Sequence, residues 1–139
     1  MLLLDTHVWV WALEGDARRI GRRARALLSK AASTDAVRVS PLSLFELTAL
    51  HVLGRLRLAQ SPDAWIRQAL QTSGVRIAEL STAAALDAGS IPRSVLADPL
   101  DSLLVATARQ LDATFLTCDE QILAYAASNA HLRVHDAAR

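Results

Sequence analysis

Five acidic residues stand where the chain has little need of them for solubility: Asp5, Glu46, Asp98, Asp101 and Asp119. Asp5 closes the apolar run 1–4, and Asp119 follows the run 114–117 by two positions. Asp98-Pro99-Leu100-Asp101 opens onto Ser102-Leu103-Leu104-Val105-Ala106-Thr107-Ala108, a stretch too apolar for an exposed helix. On a helix, Glu46 has Leu42, Ala49 and Leu50 as its stacked neighbours, an apolar stripe. A glutamate facing such a stripe is seldom buried without a partner, and the converging segments supply no obvious Arg or Lys. Carboxylates that share a pocket repel, and some must take up protons. A divalent cation removes both difficulties. An all-oxygen set without a Cys or His cluster suits Mg²⁺ or Mn²⁺ rather than zinc. Taken singly, the acids have plainer readings, Asp98 and Asp119 as helix caps and Asp5 as a turn residue; Glu46 is the hardest to explain that way.

The elements around them explain how such acids meet. Residues 1–4 read as a central strand buried on both faces, and 7–13 as a short helix. A helix is expected over 17–32 and a second strand over 36–39. Ser40-Pro41 then starts a helix running to about residue 53, which Gly54 ends. Ser61-Pro62-Asp63 opens a helix to about 72, and residues 75–80 form a third strand. Ser81-Thr82 caps a short helix ending near Gly89. A loop over 90–97 delivers Asp98 and its helix, followed by a strand over 114–117. A helix to about 127 and a weak strand over 132–134 complete the chain. Strands alternating with helices argue for an α/β fold, a mostly parallel sheet of four to five short strands with helices on both faces. Ligands of such sheets bind beyond the carboxyl ends of the strands. Four segments therefore carry acids to one edge.

The bounds agree. At 139 residues and 15.0 kDa the chain is expected to form one domain, and 52% hydrophobic residues argue for a packed globule. A net charge of +1 does not announce nucleic-acid binding, although Arg18, Arg22 and Arg25 share one side of the expected helix and offer a grip on RNA phosphates. One cysteine, no signal-peptide pattern and no apolar run of membrane-spanning length fit a cytoplasmic protein away from membranes.

Four pieces of the chain resemble the PIN-domain ribonucleases, and within them the VapC-type toxins of bacterial toxin–antitoxin pairs. They are Leu2-Leu3-Leu4-Asp5-Thr6-His7, Ser40-Pro41-Leu42-Ser43-Leu44-Phe45-Glu46-Leu47, the stretch from Asp98 to Ala108, and Leu116-Thr117-Cys118-Asp119. They fall in order over essentially the whole chain. The resemblance implies a single PIN domain over 1–139 and a Mg²⁺- or Mn²⁺-dependent endoribonuclease. Its catalytic and metal-binding acids would be Asp5, Glu46, Asp101 and Asp119, with Asp98 secondary. It also implies an RNA substrate, a cognate VapB-type antitoxin and a toxin homodimer. The pattern departs at Leu96-Ala97, where many relatives carry His-Arg, and at Ser102, where they carry Arg.

The expected reaction is in-line hydrolysis of an RNA phosphodiester, which needs no protein nucleophile. Thr6, Ser40 and Thr117 lie beside the acids and could position water or phosphate, or serve only as caps. Trp9 and Trp11 read as core packing or an antitoxin groove, with base stacking as the other reading. A dehalogenase-type phosphatase would need Asp at position 7, which is His, and a receiver domain a late lysine, whereas Lys30 is the sole lysine. The alternative that stays open is a non-enzymatic α/β binding or assembly module with a vestigial acidic site.

Overall fold

The computed structural model describes residues 1–72, 74–128 and 131–139. Its five strands are β1 (Leu2–Leu4), β2 (Val37–Val39), β3 (Val75–Ile77), β4 (Thr114–Thr117) and β5 (Arg133–Asp136). They form one sheet in the order β3-β2-β1-β4-β5, every pairing parallel. The α-helices are α1 (Thr6–Leu13), α2 (Arg22–Ser33), α3 (Pro41–Val52), α4 (Pro62–Ala69), α5 (Thr82–Ser90), α6 (Pro99–Gln110) and α7 (Glu120–Ala127). None is long and apolar enough to cross a membrane.

Because side chains alternate across a strand, the apolar run at β1 feeds two cores. Leu2 and Leu4 join Val37, Val39 and Leu116 under Val8 and Trp9 of α1, Leu47 of α3 and Trp65 of α4. Leu3 and Phe115 face the other way, onto Leu104, Val105 and Ala108 of α6 and Ile122 of α7. A strand that is buried on both sides belongs in the middle of the sheet, and β1 lies there. From β1 the chain winds outward to β3, then returns to place β4 on the opposite flank of β1. The order reverses between β1 and β4. At that reversal the two neighbouring crossovers leave to opposite faces, and a crevice opens beyond the strand ends.

The proposed strands and helices form, with shifted limits. The helix expected over 17–32 does not run through: a single 3-10 turn, Ala17–Arg19, is separated from α2 by Ile20 and Gly21. The break follows from the start of α2, whose free N–H groups are taken by the far end of the chain. Gly21 N–H donates to Ala137 O at 2.8 Å and Arg23 N–H to Arg139 O at 2.8 Å. A Cβ on Gly21 would lie 2.1 Å from the Arg139 carbonyl carbon. The strand expected over 75–80 stops at Ile77, α4 stops at Ala69 short of 72, and the last strand covers 133–136 rather than 132–134. Gly74 enters β3 at φ +86°, and a Cβ there would lie 2.2 Å from Ala32 O. Gly74→Ala is therefore expected to cost about 3 kcal/mol, from a disfavoured φ plus displacement of α2. Urea unfolding beside the parent chain checks this.

Candidate active site

Asp5 follows β1 directly, and its backbone N–H donates to Leu116 O of β4 at 3.0 Å, so it stands at the reversal point. Its carboxylate caps α1, accepting from Thr6 N–H at 2.8 Å through Oδ1, while Oδ2 accepts from the Thr117 hydroxyl at 2.6 Å. The same Thr117 oxygen accepts the Asp119 N–H at 3.0 Å. One buried hydroxyl at the end of β4 thus ties Asp5 to the turn that presents Asp119. Asp119 caps α7 through Oδ1, which takes both Gln121 N–H and Ile122 N–H, so Oδ2 is not used by the cap. Asp98 caps α6 through Leu100 N–H at 2.9 Å, with Asp101 in the first turn and Pro99 at its start. Three helices consequently begin here. Their N-terminal ends favour negative charge within the first turn.

Glu46 arrives from α3, half-buried. The start of α3 is fixed by Ser40, whose hydroxyl accepts Leu42 N–H, and by a buried hydrogen bond of 3.0 Å from Thr6 to Ser43. Thr6, Ser40 and Thr117 are each 0% exposed. Their hydroxyls hold the acid-bearing elements in register.

Electrostatics show which acids share a field. Burial, foremost, raises the Asp101 carboxyl to about 7, reinforced by the charges of Asp119, Asp98, Asp5 and Glu46. Asp5 is raised as well, by burial first and by Glu46, against the opposing hydrogen bonds from Thr117 and Thr6 and the charge of His7. The charges that act most strongly on Asp101 are all carboxylates. Such a set is short of positive charge, and all of its donors are hard oxygens. Among the described residues no three or more His, Cys, Asp or Glu side chains are grouped closely enough to hold a metal ion between them. Carboxylates that share a field repel one another, and a bound cation would offset that repulsion.

A cleft of about 230 Å³ lies at this point, lined by Asp5, His7, Val8, Trp11, Cys118 and Asp119. Its two acids are a strand end and a helix start apart, held by Thr117. The His7 and Trp11 rings, one helical turn apart, have centroids at 6.0 Å, and the Arg19 guanidinium lies 5.4 Å over Trp11. Burial keeps the Cys118 thiol protonated by raising its pKa.

The chain matches the PIN domain family model over residues 2–128. The chain belongs to the PIN-domain family. It is similar to the ribonuclease VapC22 of Mycobacterium tuberculosis, 30% identical over 121 residues, covering 87% of this chain and 88% of that one. Among solved structures, FitAcB from Neisseria gonorrhoeae is 26% identical with a TM-score of 0.63, covering 98% of this chain and 97% of its own. VapBC2 from Rickettsia felis, bound to a DNA fragment from their promoter, has the same fold at a TM-score of 0.67 and 15% identity, covering 96% of each chain. In this PIN domain the charges of Asp119, Asp98, Asp5 and Glu46 all act on Asp101, and that of Glu46 acts on Asp5. Arg18 lies on the 3-10 turn and Arg22 and Arg25 on α2; none of the three lines the cleft. Arg19, on the same 3-10 turn, lies over the ring of the cleft-lining Trp11. Of the departures from the family pattern, Leu96 is 1% exposed and Ser102 is 6% exposed, whereas Ala97 lies on the surface.

Proposed function

We propose that this PIN domain is a divalent-metal-dependent endoribonuclease, the toxin of a toxin–antitoxin pair. The observation that carries the reading is the convergence of acids from four segments on Asp101, at the point where the sheet order reverses. Similarity to a VapC ribonuclease supports RNA as the substrate. Asp5, Glu46, Asp101 and Asp119 would hold Mg²⁺ or Mn²⁺, with Asp98 behind them as the cap of α6. A divalent ion there supplies counter-charge and Lewis acidity for a phosphodiester.

The chain's own contribution is placement. Thr6 N–H and the Thr117 hydroxyl hold one lone pair on each oxygen of Asp5, which fixes the carboxylate plane and leaves the second lone pairs available. Asp119 keeps Oδ2 free, and Asp101, poised near neutrality, gives up its proton when positive charge arrives. Water would attack phosphorus in line and lose a proton to solvent; the bond to the leaving ribose oxygen would break, and that oxygen would take up a proton from solvent. Structural likeness to VapBC and FitAcB assemblies supports a cognate VapB-type antitoxin as partner. Phe45, Val52 and Leu53, 64%, 78% and 67% exposed on and beside α3, support an apolar protein contact with an antitoxin or with a second copy of the chain.

The test is cleavage of labelled total RNA by the antitoxin-free chain with Mg²⁺, with Mn²⁺ and with EDTA, beside Asp5→Asn. Discrete fragments that need metal and vanish in the variant are expected. Cleavage surviving both EDTA and the substitution would overturn the assignment, as would silence from a folded, metal-bound chain.

A further inference from the structure

Outside the acidic cleft, a second cavity of about 250 Å³ opens between α5 and the start of α6. Small and apolar residues make most of its wall, among them Ala85, Ala88 and Gly89 of α5 and Leu103 of α6. Two polar side chains break that lining, Arg93 from the loop between the helices and Ser102 from the first turn of α6. Ser102 is 6% exposed, yet among the described residues its hydroxyl has no hydrogen-bond partner. Arg93 is exposed, and among the described residues its guanidinium has neither an ion pair nor a hydrogen bond. A buried hydroxyl without a partner costs free energy that a ligand oxygen would recover. The packing of α5 does not require the space to stay empty: a Cβ on Gly89 would meet nothing within 4 Å beyond its own stretch of helix. Serine at 102, where many relatives carry arginine, keeps the cavity open, since a longer side chain there would project into it.

We propose that this cavity is a phosphate site, in which Arg93 and Ser102 hold the anion against the start of α6. It goes beyond the cleavage reading and would stand if the chain cut no RNA. The nearby acids are turned elsewhere or already engaged. Neither Asp98 nor Asp101 lines the cavity, and Asp87 of α5 is bound by Arg109 at 2.8 Å. The planar fork of Arg93 matches two oxygens of one tetrahedral anion, and the Ser102 hydroxyl can donate to a third. Beneath them α6, a helix of 12 residues, presents the positive end of its dipole. The apolar walls exclude water and so strengthen each of these hydrogen bonds. A carboxylate, with two oxygens, would occupy the fork and leave the hydroxyl dry. An apolar side chain would leave both donors unpaired. The phosphate belongs either to an RNA backbone passing over the start of α6 or to a free phosphate or monoester, and the chemistry in the cavity is the same for both.

The test uses the full chain in EDTA, so that no metal-dependent cleavage intervenes. Thermal unfolding is followed while inorganic phosphate replaces chloride at constant ionic strength. Tm is expected to rise with phosphate along a saturating curve. Arg93→Ala is expected to raise the phosphate concentration needed about tenfold or more, Arg93→Lys to restore part of the loss, and Ser102→Ala to raise it about threefold. Gly89→Leu, which fills the cavity, is expected to abolish the response while leaving Tm in chloride no lower than that of the parent. Binding of a short unstructured RNA then separates the two sources. If the phosphate belongs to the strand, Arg93→Ala lowers the salt slope of RNA binding by about 0.7. An unchanged slope beside a phosphate response that needs Arg93 assigns the site to the free anion. Phosphate acting no better than chloride, together with a salt slope indifferent to Arg93, would overturn the proposal. So would a phosphate response that survives Gly89→Leu, because the anion would then sit elsewhere. Should Gly89→Leu fail to fold, the Arg93 and Ser102 variants decide alone. A chain that binds phosphate here and never cleaves RNA would sink the nuclease assignment and not this one; cleavage with no response to phosphate or to Arg93 would do the reverse.

Discussion

Asp101→Asn is expected to cut RNA cleavage by at least about a thousandfold while making the metal-free chain harder to unfold. The loss corresponds to about 4 kcal/mol of transition-state stabilisation, the scale of removing a charged group from the reacting centre. The gain has a separate origin. Asp101 is partly desolvated and faces four carboxylates, so at pH 8 its own charge opposes folding. Asparagine keeps the shape and removes the charge. After allowance for solvent screening and for the lost favourable interaction with the start of α6, the net is about 1 kcal/mol, or about 3 °C in Tm. Thermal unfolding in EDTA at pH 8 measures it. A lower Tm for the variant would mean that the Asp101 charge supports the fold, and the metal-site reading would go with it. Asp98→Asn is the contrasting change: asparagine caps a helix as well as aspartate does, so its stability should stay near that of the parent.

The second large effect concerns pH. A carboxyl whose folded pKa lies above its unfolded value holds a proton in the native state that the unfolded chain has already lost. Stability is then greatest below about pH 4, falls as pH rises toward 7, and is level above it. Asp101 defines that window, from the ordinary 3.8 to about 7, and Asp5 shifts in the same direction. The decline is about 2 kcal/mol once the partial exposure of Asp101 is discounted. Added Mn²⁺ or Mg²⁺ should return that stability at pH 8 and do little at pH 5, where the proton already occupies the position. Tm measured over pH with and without metal gives both arms. A metal response as large at pH 5 as at pH 8 would contradict the linkage, and no response at any pH would favour the binding module with a vestigial site.

Legibility in the sequence followed the strength of local signals. The cap-then-proline pairs Ser40-Pro41, Ser61-Pro62 and Asp98-Pro99 located three helix starts to the residue, since they specify both a side-chain acceptor and a fixed φ. The apolar run before Asp5 and the apolar strand before Asp119 were enough to place both residues at one edge, because a fully apolar strand has to be central. What escaped was non-local. The break at Gly21 is imposed by the backbone of residues 137–139, more than a hundred positions away. Without that contact, residues 17–32 read as one continuous helix. Thr117 was visible beside Asp119 but its bond to Asp5 was not, since nothing local pairs positions 112 apart.

That separation has a consequence in time. The acids come from positions 5, 46, 101 and 119, and β1 cannot complete its sheet until β4 has been made. At about 5–20 residues per second, on the order of ten seconds pass between the synthesis of Asp5 and that of Asp119. Throughout that interval the nascent chain has helices and half a sheet but no finished cleft. A nuclease assembled this way is harmless to the ribosome that is making it until its last third has been translated. An antitoxin present in the cell therefore meets the activity at its first appearance and not before.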